Sequence, residues 1–196
     1  MKRSLRLPLA LCALAFSAFT FTPAANAQNL IVNGGFEDGF ASWTLTPGTF
    51  SFAGNDPMFA QSGNGFANLE STGSIASLSQ SFATVVGQTY SISFFLANDS
   101  GVTPNFFAAF FNGTQGYSTT NATVFGYTQI QFNAVATTTS STLQFQFRHD
   151  DDFFRLDTVT VIPEPSTNAL MILSAAGLLG VVQYRRVKAR RLSAEA

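Results

Sequence analysis

A carboxylate in an apolar strand is the first feature of the sequence that could do chemistry. In the stretch FRLDTVTV, residues 154–161, the side chains of a strand would alternate between two faces, which places Asp157 on the same face as Val159 and Val161. A carboxylate there costs free energy unless it is hydrogen-bonded, ion-paired or bound to a metal. Two explanations stay open: an ion pair with Arg155, which projects to the same face, or a structural Ca²⁺, which takes carboxylate and carbonyl oxygens together.

Aromatic side chains are the second candidate for function. The sequence contains 22 Phe, and adjacent pairs stand at Phe94-Phe95, Phe106-Phe107, Phe110-Phe111 and Phe153-Phe154. Neighbouring residues of a strand point to opposite faces, so one ring of each pair should face away from the core. Outward rings can cluster into a binding patch unless a sheet, a loop or a neighbouring molecule covers them. The candidates for such a ligand surface are Phe95, Phe107, Phe111 and Tyr117.

The sequence offers no recognisable catalytic group. His149 is the only histidine, and the only cysteine, Cys12, lies in an apolar segment near the N-terminus. The cluster RHDDDFFR, residues 148–155, contains three consecutive aspartates that could hold a second cation. A solvated hairpin loop explains such a charge run more simply. We therefore expect a protein that binds rather than catalyses.

A period of two in hydrophobicity describes the elements that must position these residues. Four segments alternate between apolar and polar residues, with the apolar sets Ala76, Leu78 and Phe82; Tyr90, Ile92, Phe94 and Leu96; Ile130, Phe132 and Ala134; and Leu143, Phe145 and Phe147. Such segments are typical of strands with one buried face. Turn sequences separate them, at Gly34-Gly35, Gly54-Asn55, 62–65, 86–88, 98–101 and Asn112-Gly113. The run Thr137–Thr142 is interpreted as a loop, and the pattern predicts an all-β domain, a single jelly-roll β-sandwich.

The N-terminus has the pattern of a secretory signal peptide. Three basic residues within the first six positions precede an uncharged apolar run, residues 7–21, and the small residues Ala25-Asn26-Ala27 follow it. The run is shorter than the roughly 20 residues that a membrane-spanning helix needs. We expect residues 1–27 to be removed, which leaves a body without cysteine.

The charges of the body, residues 28–162, exclude some partners. This segment has two arginines and nine acidic residues, so its formal net charge is −7. Such a surface argues against nucleic acid and anionic lipid as partners. It is compatible with divalent cations and with neutral glycans.

The C-terminal region, residues 163–196, reads as a membrane anchor. An apolar segment over about residues 167–184 is just long enough to cross a bilayer. The basic residues that follow are Arg185, Arg186, Lys188, Arg190 and Arg191. By the positive-inside rule they remain cytoplasmic, so the body lies outside the membrane. The alternative is a buried core helix, which rarely lacks a polar face.

A stiff acidic segment lies just before the predicted anchor. Pro163 and Pro165 hold the backbone extended and should present Glu164 in an accessible position. Together with the apolar run and the basic end, Pro-Glu-Pro-Ser resembles a PEP-CTERM sorting signal, although Val187 and Ala189 interrupt the basic residues. The resemblance implies recognition by an exosortase, a membrane transpeptidase of Gram-negative bacteria that make exopolysaccharide. It also implies transient anchoring in the inner membrane and cleavage near Glu164.

A second resemblance covers the body. NLIVNGGFEDGFASWT, residues 29–44, and the closing FRLDTVTV are similar to the first and last segments of galactose-binding-like jelly rolls, which include many carbohydrate-binding modules. The resemblance implies a structural Ca²⁺ held by Glu37, Asp157 and the Gly35 carbonyl, with Asp56 as a weaker candidate. It also implies that Trp43 belongs to the core.

These observations predict an exported, non-catalytic protein of the cell envelope or the exopolysaccharide matrix of a biofilm. We expect its body to bind a glycan. The alternative is a self-assembling structural matrix protein that uses exposed Phe rings as contacts, and a hydrolase is a more distant third reading.

Overall fold

The computed structural model describes residues 28–47, 49–165, 177 and 179–185. The predicted signal peptide lies outside these residues, and so does most of the predicted membrane anchor. Residues 177 and 179–185 are helical. Among the described residues, no helix is long and apolar enough to cross a membrane. The proposed boundaries at residues 27 and 162 therefore stay predictions.

The described part of the body is all-β, as the alternation predicts. Its strands are β1 (Thr44–Leu45), β2 (Phe52–Asn55), β3 (Gly65–Ala83), β4 (Thr89–Asn98), β5 (Asn105–Phe111), β6 (Thr114–Thr120), β7 (Phe125–Val135) and β8 (Ser140–Pro163). All pairs are antiparallel. The long strands β3 and β8 join every strand into one hydrogen-bonded network.

β3 and β8 each contribute one part to each of two sheets, so the network forms two layers. The first half of β8 pairs with β5 and with residues 76–83 of β3, and β1 and β6 extend this first sheet. The second half of β8 pairs with β4 and with residues 67–69 of β3, and β2 and β7 extend this second sheet. Ring contacts join the layers, including 5.1 Å between Phe94 and Phe145 and 5.5 Å between Phe107 and Phe154. The body is thus a β-sandwich.

The core confirms the predicted inward faces. Every second residue from Tyr90 to Leu96 is buried, and Leu143, Phe145 and Phe147 are fully buried. The predicted inward residues of β7 are only partly buried, because β7 lies at the edge of its sheet. All buried core residues that the structure describes lie between positions 31 and 161. The body therefore has a core of its own.

Trp43 belongs to this core, as predicted. Its ring lies 5.4 Å from Phe36 and 6.1 Å from Phe145. The indole Nε1–H donates to the Asn33 carbonyl at 3.0 Å. The only tryptophan of the chain therefore packs the N-terminal segment against the sandwich and is not open to a ligand.

Two of the loop predictions are wrong. Gly54-Asn55 ends β2 rather than forming a turn, and a Cβ on Gly54 would lie 2.3 Å from the Phe66 ring, which explains the glycine. The predicted loop Thr137–Thr142 ends early because β8 begins at Ser140. Ser141 is buried, and its hydroxyl is hydrogen-bonded to Thr84 and Asn112.

The acidic cluster at residues 148–155 is part of β8 and not a hairpin loop. Ser71 pairs with His149 and Leu69 with Phe154, so residues 150–153 stand opposite a single residue of β3 and protrude. His149 is fully buried, where its Nε2 contacts the Asn98 amide oxygen at 2.9 Å and its Nδ1 accepts the Asp152 N–H. Asp150 is hydrogen-bonded to Arg148 and to the Gly73 N–H. These polar groups hold the protrusion in place.

Candidate functional site

An open groove of about 440 Å³ crosses the outer face of the second sheet. β2, β3, β8, the residue after β4 and the loop at residues 56–60 all contribute to it. The side chains that line it are Phe52, Asn55, Asp56, Phe59, Phe66, Asn68, Asp99, Asp152, Phe153 and Arg155. Phe66 and Asn68 of β3 face the groove because they alternate with the core residues Ala67 and Leu69.

Phenylalanine rings form the apolar part of the groove. Phe52 and Phe59 are 48% and 47% exposed, which is unusual for such large apolar side chains in a folded domain. Phe52 meets Phe153 edge to face at 5.4 Å, and Phe59 lies 6.3 Å from Phe66. The groove therefore presents apolar surfaces that are fixed by ring contacts and remain open to solvent.

Arg155 fixes the polar end of the groove. Its guanidinium forms an ion pair with Asp99 and lies 5.4 Å from the centre of the Phe59 ring. The Phe59 carbonyl accepts hydrogen bonds from Arg155 Nη1 at 3.3 Å and from the Tyr127 hydroxyl at 3.0 Å. Burial of the ring raises the pKa of Tyr127 far above its ordinary value, so the hydroxyl stays protonated and donates. These contacts hold the loop at residues 56–60 against the sheet.

The expected ion pair between Arg155 and Asp157 is wrong. Ser93 pairs with Thr160 and Phe95 with Asp157, so two residues of β8 oppose Phe94 at a β-bulge. Thr158, within the bulge, has a left-handed φ of 51°. The bulge shifts the alternation by one residue, so Asp157 does not share the inward face of Val159 and Val161 as expected. It lies beside Phe95 and is covered by the turn at residues 61 and 62, while Arg155 pairs with Asp99.

Asn68 gives the groove a polar group without a partner. The residue is only 5% exposed, and its side-chain amide makes no hydrogen bond to any residue in the described part of the chain. No buried polar side-chain atom among the described residues lacks a partner, so the amide must reach solvent at the groove although most of the residue is covered. Since the amide lines the groove, it is available to a ligand.

Outside the groove, two carboxylates lie near Gly35 in the N-terminal turn. Asp157 is fully buried, and its Oδ2 accepts the N–H groups of Gln61 at 2.8 Å and Ser62 at 3.0 Å. Glu37 Oε1 accepts the Asn64 N–H at 2.9 Å. A Cβ on Gly35 would lie 3.8 Å from Asp157 Oδ1 and 4.0 Å from Glu37 Oε1. Two of the four predicted metal ligands, the carboxylates of Glu37 and Asp157, thus both lie near Gly35.

Asp56 does not join this pair. Its Oδ1 accepts the Met58 N–H at 2.9 Å, and the residue lines the groove instead. Burial raises the pKa of Asp157, although N–H donors from Ser62, Thr158 and Gln61 act in the opposite direction. Within the described residues, no three His, Cys, Asp or Glu side chains converge as metal ligands do. A cation at Gly35 would therefore depend on two carboxylates and on backbone carbonyls.

The predicted ligand surface does not exist as such. Phe107 and Phe111 are 0% and 2% exposed and belong to the core, so the outward rings of their pairs are Phe106 and Phe110. Tyr117 packs 6.2 Å from Phe94 and is only partly exposed. Phe95 is on the outer face of the second sheet, as expected, but outside the groove lining. Of the outward rings that the pairs predicted, Phe153 reaches the groove.

Little in the sequence indicated the other groove residues. Phe52, Phe59, Asn68 and Asp99 lie far apart in the chain, and only the register of β2, β3 and β8 brings them together. The one signal was the pair at residues 153 and 154, whose first ring is outward. Asp152 and Arg155, on either side of this pair, also line the groove.

The sorting segment is held against the body rather than presented freely. Pro163 ends β8 opposite Tyr90. The Glu164 N–H donates to the Thr89 carbonyl at 2.9 Å, and its Oε1 accepts the Asn133 Nδ2–H at 2.8 Å. The expected accessibility of Glu164 is thus only partial, because the residue is half-buried and hydrogen-bonded to the body. Of the predicted basic anchor residues, only Arg185 lies within the described residues.

Comparison with known proteins identifies the sorting segment directly. Residues 161–187 match the family profile of the PEP-CTERM protein-sorting motif. The chain therefore carries the motif of an exported protein that is sorted to the cell envelope. A search of curated proteins finds no match to the chain.

Several solved structures resemble the body. TmCBM61, solved in complex with β-1,4-galactotriose, is 17% identical with a TM-score of 0.57, and the match covers 70% of this chain and 99% of that one. The CBM22-1 xylan-binding domain of Paenibacillus barcinonensis Xyn10C is 15% identical with a TM-score of 0.53, and the match covers 70% and 95%. A Clostridium thermocellum xylanase 10B structure with CBM22-1 and GH10 modules, complexed with xylohexaose, is 18% identical with a TM-score of 0.55, and the match covers 71% and 29%. At these identities the likeness shows the fold, the jelly-roll sandwich of carbohydrate-binding modules.

Proposed function

We propose that the body is a non-catalytic module that binds a glycan in the groove on the outer face of the second sheet. The observation that carries the proposal is the unpartnered amide of Asn68, only 5% exposed, beside the exposed rings of Phe52 and Phe59. Sugars present apolar C–H faces that can lie on rings and hydroxyl groups that can pair with amides and carboxylates. A groove that combines both kinds of surface suits such a ligand. The carbohydrate-binding modules of similar fold support this class of ligand.

The sorting motif supports a site of action outside the cytoplasm. An exosortase recognises the motif and cleaves the chain near Glu164, after transient anchoring by the C-terminal segment. The body then reaches the outer surface or the exopolysaccharide matrix. Its net charge of −7 favours uncharged or cationic glycans over acidic ones.

A structural Ca²⁺ at Gly35, Glu37 and Asp157 is part of the proposal. Asp157 is a fully buried carboxylate that receives backbone N–H groups and has no cationic partner among the described residues. A hard cation would offset the cost of burying that charge. Its chemistry would be to tie the N-terminal turn, through Glu37, to the last strand. Native mass spectrometry in millimolar Ca²⁺ tests this, and a body that carries no calcium would contradict it.

Affinity electrophoresis of the body through soluble polysaccharides tests the proposed function. Xylan, β-1,4-galactan and the exopolysaccharide of the producing cells are the probes, each with Ca²⁺ and with a chelator. We expect retardation of the wild type and loss of retardation for Asn68→Ala. Gln129→Ala, on the exposed side of β7 and outside the groove lining, is the control and should migrate as the wild type does. Free migration of the wild type in every gel would contradict glycan binding.

Self-association is the competing function, and the same exposed surface favours it. Phe50 and Met58, beside the groove, are 66% and 83% exposed. A matrix protein that assembles through these side chains would grow in mass with concentration. We expect sedimentation to show a monomer across the accessible range, and growth that Phe50→Ala abolishes would establish the alternative. Turnover of a polysaccharide by the purified body would contradict a non-catalytic role.

A further inference from the structure

The charges in the groove point to the class of sugar that it takes, an inference that rests on the proposed function. Three carboxylates and one guanidinium line the groove, so the lining has a formal net charge of −2. Arg155 is already paired with Asp99. In the described part of the chain, Asp56 and Asp152 therefore have no cationic partner.

Each of these two carboxylates has an oxygen to spare. Asp56 Oδ1 accepts the Met58 N–H at 2.9 Å, and Asp152 Oδ1 accepts the Phe153 N–H at 2.9 Å. Neither Oδ2 accepts a hydrogen bond from any residue that the structure describes. The negative field extends beyond the groove to Glu70, whose pKa is raised by desolvation and by the charge of Asp152, with an opposing effect of His149.

A second, independent feature shows that the groove is built to receive a ligand. Asn68 is nine-tenths buried, and its amide is unpartnered and lines the same groove. The edge-to-face rings of Phe52 and Phe153 are next to Asp152 in the lining. The acidic groups thus surround a surface that already suits a sugar ring, rather than forming an isolated acidic cluster.

We propose that the groove selects glycans with free amino groups, such as a partly de-N-acetylated hexosamine polymer. A protonated amine donates charge-assisted hydrogen bonds to the free carboxylate oxygens of Asp152 and Asp56, which are stronger than those of a neutral hydroxyl. An N-acetyl group removes the charge, and an acidic sugar is repelled by the lining and by the net charge of the body. A neutral glycan leaves both carboxylates without a counter-charge.

Calorimetric titration with matched oligosaccharides tests this selectivity. The probes are glucosamine and N-acetylglucosamine oligomers of one length and linkage, with a xylo-oligosaccharide as the neutral reference, at about pH 6, where the amines are largely protonated. We expect the glucosamine oligomer to bind at least about tenfold more tightly than the other two. The preference should shrink as salt rises from about 0.05 to 0.5 M, because salt screens the attraction.

Two isosteric variants assign the effect to the groove. Asp152→Asn and Asp56→Asn retain an oxygen that can accept the local N–H, so the backbone stays in place while the charge is removed. Each should reduce the preference for the amino form several-fold. Asp151→Asn is the matched control, because Asp151 is exposed, contacts Ser100 and lies outside the lining; its preference should equal that of the wild type.

The outcomes separate the inference from the function on which it rests. Equal or weaker binding of the amino form, with clear binding of a neutral form, would overturn the selectivity and leave glycan binding intact. A preference that Asp151→Asn reduces as much as Asp152→Asn does would assign it to overall charge and not to the groove. Absence of binding to every oligosaccharide and polysaccharide would overturn both proposals.

Discussion

The two halves of β8 differ in regularity, and they differ in what they do. From Ser141 to His149 every second residue is buried without exception, and these side chains pack the core between β3 and β5. From Asp150 onward the strand protrudes once and bulges once. This second half supplies Phe153 and Arg155 to the groove and Asp157 to the carboxylate pair. Burial therefore determines the alternation of the regular half, whereas the irregular half orients side chains toward the groove and the carboxylate pair.

We expect the largest loss of stability from a substitution in the regular half of β8. Phe145 is fully buried, and its ring lies 5.1 Å from Phe94 and 5.7 Å from Phe107. We expect Phe145→Ala to lower the free energy of unfolding by about 3 to 5 kcal/mol, because it leaves a cavity where both sheets meet. Urea denaturation measures the change. A loss below about 1 kcal/mol would show that this half of the strand is not the packing centre.

Within the irregular half, we expect substitution of Asp157 to lower the free energy of unfolding most. Asp157→Ala leaves the partly buried N–H groups of Gln61 and Ser62 without an acceptor and empties a fully buried position, so we expect a loss of about 2 to 4 kcal/mol in the free energy of unfolding. Asp151→Ala, at an exposed position of the same strand, is the control and should change little. If both variants have the same free energy of unfolding, the hydrogen bonds that Asp157 accepts contribute nothing measurable.

A smaller effect is expected where β8 ends. Asn133→Ala removes the side-chain hydrogen bond to Glu164, so the Glu164 N–H should exchange with solvent several times faster. Gln131→Ala, which removes a contact with Ser91 from the same strand, serves as control and should leave that exchange rate unchanged. Equal protection of Glu164 in both variants would mean that Asn133 does not hold the sorting segment.

The smallest effect concerns acid stability at the start of the irregular half. The hydrogen bond from Arg148 is the main cause that lowers the pKa of Asp150 to about 2. Since the folded-state pKa is depressed, the stabilisation is present above the ordinary pKa of aspartate and is lost as the pH falls toward 2. We expect Asp150→Asn to melt slightly lower than the wild type at neutral pH. The difference in melting temperature should disappear near pH 2. A difference that is independent of pH would contradict the ion pair as its cause.

The regular parts of the molecule could be predicted from the sequence because a single rule governs them. A strand with one buried face must alternate, so the inward residues of β4 and of residues 143–147 of β8 were predicted correctly. The phase of β5 was not readable, because Phe106, Phe107, Phe110 and Phe111 are alike and the alanines between them suit either face. The register of β5 also shifts between Ala109 and Phe110.

The site escaped prediction for a different physical reason. A left-handed φ at Thr158 is unfavourable for a β-branched residue, and nothing in FRLDTVTV announces it. The bulge at this residue takes Asp157 off the face of Val159 and Val161, on which the expected site was based. The groove depends in addition on the register of three strands, which is a long-range property. By contrast, the resemblance to carbohydrate-binding jelly rolls predicted the meeting of Glu37 with Asp157.

The most direct test of the account is the affinity of two double variants for a glycan that the wild type retains. Phe52→Ala with Phe153→Ala removes the rings of the groove, and Phe106→Ala with Phe110→Ala removes the same number of rings from β5 in the first sheet. We predict that the first variant binds at least about tenfold more weakly, a loss above roughly 1.4 kcal/mol, and that the second binds as the wild type does. Equal affinity of the two variants, with both folded, would contradict the claim that the groove beside the irregular half of β8 is the binding site.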